Sequence, residues 1–299
     1  MQEKNVDLFF STMIEAAIKD DRALMEFPFF SLQKQPQMEP LAYNDGRAHI
    51  RITPGSKGIA NIWDKDVLIY CATHVNDAIE RGLAVDRKIR CSTYDVLRTT
   101  GRGVGKKDYE QLYDALFRLR NTGIETDIEA DGVKERRGFG WIDSYRVIER
   151  EVNGRKVAVG LEITLNEWMF RALVKERRVL TINRDYFDLS MGLERRLYEL
   201  ARKHCGAQKE WKIGLERLAE KCGTRNSLKR FKYDLKVVIG RDKIPDYVFF
   251  MANDHNGEAA KVAAELGAKY PKGGRRAKNE LIVVLVQPRL QAALAPLRS

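Results

Sequence analysis

Apolar residues recur at helical spacing twice in this chain, with the same offsets from a preceding glycine. After Gly101 come Tyr109, Tyr113, Leu116 and Phe117; after Gly223 come Phe231, Leu235, Val238 and Ile239, at 8, 12, 15 and 16 residues in both cases. That spacing lays one buried stripe along an α-helix. The two glycines are 122 residues apart (223 − 101). Each helix meets a breaker 22 residues past its glycine, Gly123 or Pro245, and a strand-like run follows, Ile124–Ile128 or Tyr247–Met251. A short helix, a turn, an amphipathic helix and a β-hairpin, in that order, make a winged helix.

The remaining pattern fills in around these two units. Residues 3–25 predict one amphipathic N-terminal helix, with Phe9, Met13, Ile14 and Ala17 on one side. A strand is expected at His49–Ile52 and a helix over 64–81, with Asp64 as its N-cap and Val67, Ile69, Tyr70, Val75 and Ile79 turned inward. Ser92 opens the short helix before Gly101. Trp141–Ile148 and Lys156–Leu165 alternate like strands, with hairpin turns at Asp131-Gly132 and Asn153-Gly154. Helices follow at 166–175 and 193–204. The second hairpin, Tyr247–Met251 with Leu281–Val286, is interrupted by an insertion holding a predicted helix, Glu258–Leu266, and a basic loop. The fold class is α+β: an N-terminal helix and lead-in (1–30), a first winged-helix domain (31–165), and a second (166–299) with an inserted basic wing. The pseudo-repeat offset is 122 residues.

Charge separates the two units. The net +11 is −1 over residues 1–60, zero over 61–150 and +12 over 151–299. A basic half suits a polyanion, because neutralised phosphates release condensed counterions. Nothing resembles a membrane span or a secretion signal. Four unpaired cysteines, at 71, 91, 205 and 222, fit a reducing cytoplasm, and with four dispersed histidines they give no metal site. No cofactor is expected.

Winding the second long helix at about 100° per residue turns Asn226, Lys229, Tyr233 and Lys236 outward. Arg225, Ser227, Arg230 and Lys232 flank them. Asparagine pairs with adenine, arginine or lysine with guanine, and the remaining cations suit phosphates. On the first helix the corresponding face carries Lys107, Gln111, Asp114 and Arg118. Its carboxylate opposes DNA, so the second unit is ranked as the principal reader. Two arginine pairs, Arg136-Arg137 and Arg275-Arg276, with Lys278, are the candidate wing contacts.

Catalytic patterns fail on inspection. Gly101-Arg102-Gly103-Val104-Gly105-Lys106-Lys107 has three residues between its outer glycines where a phosphate loop needs four, and lacks the hydroxyl after the lysine. His49, His74, His204 and His255 are too scattered for a metal-assisted nicking site. No enzymatic activity is expected.

Two runs resemble a known family. Glu26-Phe27-Pro28-Phe29-Phe30-Ser31-Leu32 with Tyr43, and Gly58-Ile59-Ala60-Asn61-Ile62-Trp63-Asp64-Lys65-Asp66-Val67-Leu68-Ile69-Tyr70, are similar to the opening of the plasmid replication initiator protein A family. The likeness extends over roughly residues 25–250. It implies a non-enzymatic, cytoplasmic initiator whose tandem winged helices bind repeated sites (iterons) in double-stranded plasmid origin DNA. It implies as further partners the host replication initiator and the replicative helicase, and a monomer–dimer balance in which dimers repress the protein's own promoter. The DNA-reading role then falls on Arg225, Asn226, Lys229, Arg230, Tyr233 and Lys236. A winged-helix transcriptional repressor without a replication role is the alternative.

Overall fold

Two runs of the chain adopt the same succession of elements, and their sheets close in the same way. The computed structural model describes residues 12–46, 48–128, 136–152, 155–251 and 281–286. The lead-in contains β1 (Lys19–Asp21), α1 (Arg22–Glu26), β2 (Leu41–Asn44) and β3 (His49–Thr53). The first unit is α2 (Lys65–Glu80), β4 (Lys88–Cys91), α3 (Thr93–Thr99), α4 (Lys106–Asn121), β5 (Gly123–Thr126), β6 (Arg137–Phe139), β7 (Ile142–Val152) and β8 (Arg155–Leu165). After α5 (Glu167–Val174), β9 (Val179–Thr181) and a 3-10 turn at Arg184–Asp188 comes the second unit. It comprises α6 (Gly192–His204), β10 (Glu210–Gly214), α7 (Leu215–Cys222), α8 (Leu228–Arg241), β11 (Tyr247–Met251) and β12 (Leu281–Val286).

Strand order identifies the wings. In the first unit the sheet runs β4-β8-β7, in the second β10-β12-β11. In both, the strand before the short helix pairs antiparallel with the last strand of the hairpin. Helix, strand, helix-turn-helix and hairpin therefore occur twice with winged-helix pairing. The first wing is consequently the β7–β8 hairpin, paired out to Val152–Arg155. It is not the hairpin carrying Arg136 and Arg137. That segment, β5–β6, joins a separate four-stranded sheet, β2-β3-β5-β6. Alternation decides the matter, since Ile50, Ile52 and Ile124 reach the core from β3 and β5. The turns at Asp131-Gly132 and Asn153-Gly154 and the predicted helix Glu258–Leu266 lie outside the described residues.

The repeat is less regular than the sequence suggests. The long helices begin 122 residues apart (228 − 106). The buried stripe of α4 is nevertheless Leu112, Ala115, Leu116 and Leu119, against Phe231, Leu235 and Val238 in α8. Matching residues at i, i+4 and i+7 places these stripes 119 apart (231 − 112). Tyr109, Tyr113 and Phe117 are only half-buried, and the two tyrosines pack against the edge of the core. Aliphatic leucines take the centre of the face, and the tyrosines keep their hydroxyls near water.

The N-terminal segment is not one helix where it is described. Residues 12–18 are turn and coil, β1 pairs with β9, and only Arg22–Glu26 is helical. Side-chain oxygens draw it out of the predicted helix. Asp95 accepts from the Met13 amide, Thr73 Oγ1 from the Lys19 amide, and Asp21 caps α1 by accepting from Ala23 and Leu24. Met13 and Ile18 are still buried; residues 3–11, with Phe9, lie outside the described residues. Asp64 also behaves differently from the expected cap. Asn61 Oδ1 accepts from the Trp63 and Asp64 amides, while the Asp64 carboxylate binds Arg118.

The two units share an interior. Trp168, Met169 and Leu173 of α5 pack into the first core, so that core extends past residue 165, where the sequence places the domain boundary. Ile18, Met25 and Ile69 reach into the second core. Where α2 meets α6, charged side chains are sealed from water. Lys65, with no exposed surface, donates to Asp20 and Glu199, both at 2.7 Å. Glu199 also accepts from Tyr186 at 2.8 Å and pairs with Arg196 at 2.9 Å. Asp66 binds Arg195 at 2.6 Å, and Arg195 Nε and Nη2 donate to the carbonyls of Leu189 and Phe187. Buried ions persist only when partnered in this way. Burial works against the Lys65 charge, but Asp20 and Glu199 outweigh it and raise its pKa. Burial pushes the Asp20 carboxyl up to about 7.

Candidate nucleic-acid interface

The long helix α8 is fastened at both ends. The Ser227 hydroxyl accepts from the Arg230 amide, and Gly223, at φ +65°, ends α7 in the left-handed conformation the turn needs. A Cβ on Gly223 would lie 2.6 Å from Cβ of Pro28, so only glycine lets the lead-in pack here. At the other end Arg241 pairs with Glu194 at 2.8 Å and donates to Ser190 Oγ, both beside the start of α6.

Phe231, Leu235 and Val238 anchor one face, which turns the predicted reading face outward. Arg225, Asn226, Ser227, Lys229, Arg230, Tyr233 and Lys236 are all exposed, and Lys232 is half-buried on the flank. Tyr233 is 59% exposed, a large value for an aromatic side chain without a ligand role. Among the described residues Lys229 and Lys236 form no ion pair.

One carboxylate interrupts this basic surface. Asp234 receives the Arg230 Nε at 3.0 Å through one oxygen and the Asn226 amide nitrogen at 3.3 Å through the other. The Arg230 guanidinium also lies over the Tyr233 ring, 5.2 Å from its centre. Helical winding alone does not single out Asp234, because its angular position falls beside the buried stripe.

The corresponding face of α4 is largely neutralised. Arg118 is bound by both oxygens of Asp64, at 2.7 and 2.8 Å, and is half-buried. Asp114 holds Lys57, which also lies 5.1 Å over the Phe117 ring. Lys107 and Gln111 are exposed. Gln111, Asp114 and Arg118 line a cleft of about 460 Å3, next to one of about 520 Å3 lined by Arg225, Asn226 and Asp234. Both clefts include Lys34, Trp63 and Ser190, so one groove runs between the two long helices.

Arg136 and Arg137 are held in the β2-β3-β5-β6 sheet region, Arg136 paired with Glu125 and Arg137 opposite Thr126. The sequence at the end of the actual first wing is Arg150, Glu151, Val152, then Arg155 and Lys156 in the opposing strand. Only the pairing of β4 with β8 reveals it. Arg275, Arg276 and Lys278 lie outside the described residues.

The two family-like runs serve the frame around this surface. Phe30 stacks on Trp141 at 4.8 Å, and Phe29 meets Trp141 edge-on at 5.2 Å. Glu26 pairs with Lys221 of α7 and with His204 and Lys203 of α6. Burial opposes the Glu26 carboxylate, but the hydrogen bond from Lys221 and the positive charge around it outweigh burial and hold its pKa below the usual range. Burial, with Lys221, Lys203 and Arg196 nearby, pulls His204 down to about 4 against the attraction of Glu26. Among the described residues no helix is long and apolar enough to cross a membrane.

Comparison with known proteins places this architecture. A family model described as replication initiator protein A matches residues 19–249. A putative replication protein of Wigglesworthia glossinidia brevipalpis is 39% identical over 235 residues, 78% of this chain and 84% of its own. Two crystal structures of domains 2 and 3 of RctB superpose with TM-scores of 0.59 and 0.55, at 12% and 13% identity. Each covers 89% of this chain, and 98% and 97% of its own. At that identity the likeness is one of fold.

Proposed function

Because the chain belongs to the replication initiator protein A family, we propose that it starts plasmid replication by reading repeated double-stranded sites in the origin. The α8 face carries the reading, and the protein acts without catalysis. The observation that supports this is the outward row Arg225, Asn226, Lys229, Arg230, Tyr233 and Lys236, presented on the second helix of a winged helix. Such a row offers hydrogen-bonding groups to base edges and cations to phosphates. The α4 face, with Arg118 and Asp114 already paired, supplies fewer contacts. In this reading the host initiator and helicase join afterwards, and a dimeric form of the protein binds its own promoter.

Selection of binding sites from a random duplex pool, followed by footprinting, tests the proposal. If the two recognition helices enter successive major grooves, one helical turn apart, one monomer is expected to protect roughly 20 base pairs, at a sequence repeated in the encoding plasmid. A palindrome bound only by a dimer would move the reading to promoter repression. Purely salt-sensitive binding without a consensus would overturn it.

A further inference from the structure

Within that reading of α8 as a DNA-reading helix, we propose that Asp234 is a positioning residue that sets base preference, holding Asn226 for adenine and Arg230 for guanine. Its two oxygens engage two different side chains on the exposed surface, Asn226 Nδ2 at 3.3 Å and Arg230 Nε at 3.0 Å. Each contact uses the donor that base reading does not need.

An asparagine amide nitrogen carries two hydrogens. One directed at Asp234 leaves the other, together with Oδ1, on the outward edge. That pair of groups matches N7 and the 6-amino group of adenine, an acceptor beside a donor. Without a partner the amide rotates freely and presents either edge.

The guanidinium has five donors in a fixed plane. Pairing of Nε with Asp234 leaves the end-on pair of terminal nitrogens for base reading, and that pair can grip O6 and N7 of guanine. The Tyr233 ring beneath, 5.2 Å away, limits rotation out of that plane. Asp234 itself is 23% exposed on its side chain and lines the groove beside Arg225 and Asn226. A carboxylate there repels phosphate, so its presence on an otherwise basic surface weakens indiscriminate binding while ordering the two readers.

The test uses the full chain and duplexes carrying the sequence selected from the random pool, with each position substituted in turn. Asn226→Ala and Arg230→Ala first mark the positions these residues read. Those positions are expected to be an adenine and a guanine, respectively. Asp234→Ala is then expected to reduce discrimination at both positions about tenfold, with affinity for unrelated duplex unchanged or raised and thermal melting unchanged. Asp234→Asn, of the same size and with one acceptor oxygen, is expected to keep discrimination at one position. Unchanged discrimination in both Asp234 variants would overturn the proposal, as would a loss spread evenly over all positions. So would other bases at the two marked positions. If the wild-type chain selects no sequence at all, the reading of α8 fails first, and the proposal falls with it.

Discussion

Lys65 of the first winged unit donates to Glu199 of the second at 2.7 Å, with neither side chain more than 1% exposed. The contact joins the opening helices of the two units, α2 and α6. Removing one member of such a group leaves the others buried without their partner, which typically costs about 3–5 kcal/mol. Lys65→Met is therefore expected to destabilise the chain by about that amount. Because the cost falls where the two cores meet, urea unfolding followed by far-ultraviolet dichroism and by tryptophan fluorescence should shift together. Two separated transitions, one at the wild-type midpoint, would show that the units unfold independently.

Two buried groups predict opposing pH effects. His204 titrates at about 4 in the folded chain, against about 6.5 when unfolded. Its contribution is present above pH 6.5 and is lost as pH falls through 4. Asp20 is raised from 3.8 to about 7, so its contribution is complete below 3.8 and is lost as pH rises through 7. Between pH 4 and 6.5 the two slopes oppose each other. His204→Gln should leave stability falling with pH in that window, and Asp20→Asn should leave it rising, as read by urea midpoints at half-unit steps. The reverse signs would contradict the burial described for either group.

Binding should depend on α8 far more than on α4. Lys229→Ala, Arg230→Ala and Lys236→Ala combined are expected to abolish specific binding without changing thermal melting, since all three are exposed. Lys107→Ala with Arg118→Ala should cost less affinity, although the Arg118 change will lower stability by stranding Asp64. The slope of log affinity against log salt should shrink by about 0.9 for every phosphate the variant no longer neutralises. Equal losses from the two helices would refute the ranking.

Strand pairing also moves the first wing. Arg155→Ala with Lys156→Ala, at the end of the β7–β8 hairpin, is expected to weaken duplex binding severalfold. Arg136→Ala with Arg137→Ala, in the sheet shared with β2 and β3, should leave it within about twofold. Titration of a labelled duplex by fluorescence anisotropy distinguishes the two.

The elements most legible in the sequence were those whose signal is local. A Gly223 turn, a strong Phe231–Leu235–Val238 stripe and a basic opposite face defined α7 and α8 without reference to the rest of the chain. What escaped depends on distant partners. Whether Arg136 sits on a wing is decided by β3, some 80 residues earlier in the chain. The N-terminal segment has a helical pattern, yet Asp95 and β9 supply hydrogen bonds that an isolated helix lacks. In α4 a match of offsets favoured tyrosines over the leucines at 112 and 119, because periodicity counts apolar residues without weighing how willingly each gives up water. The Arg118 side chain looked like a free cation because its partner Asp64 is 54 residues away.

The sealed charges between α2 and α6 bear on the DNA as much as on the protein. In the proposed reading, α4 and α8 held in fixed mutual phase make the chain a gauge for the helical pitch of its target. One extra base pair between the two contacted segments turns one about 34° relative to the other. A jointed reader would absorb that rotation by swivelling, whereas in this reading the duplex itself would have to bend or twist. Origin repeats should therefore tolerate changes in base identity between the contacted segments better than changes in their separation.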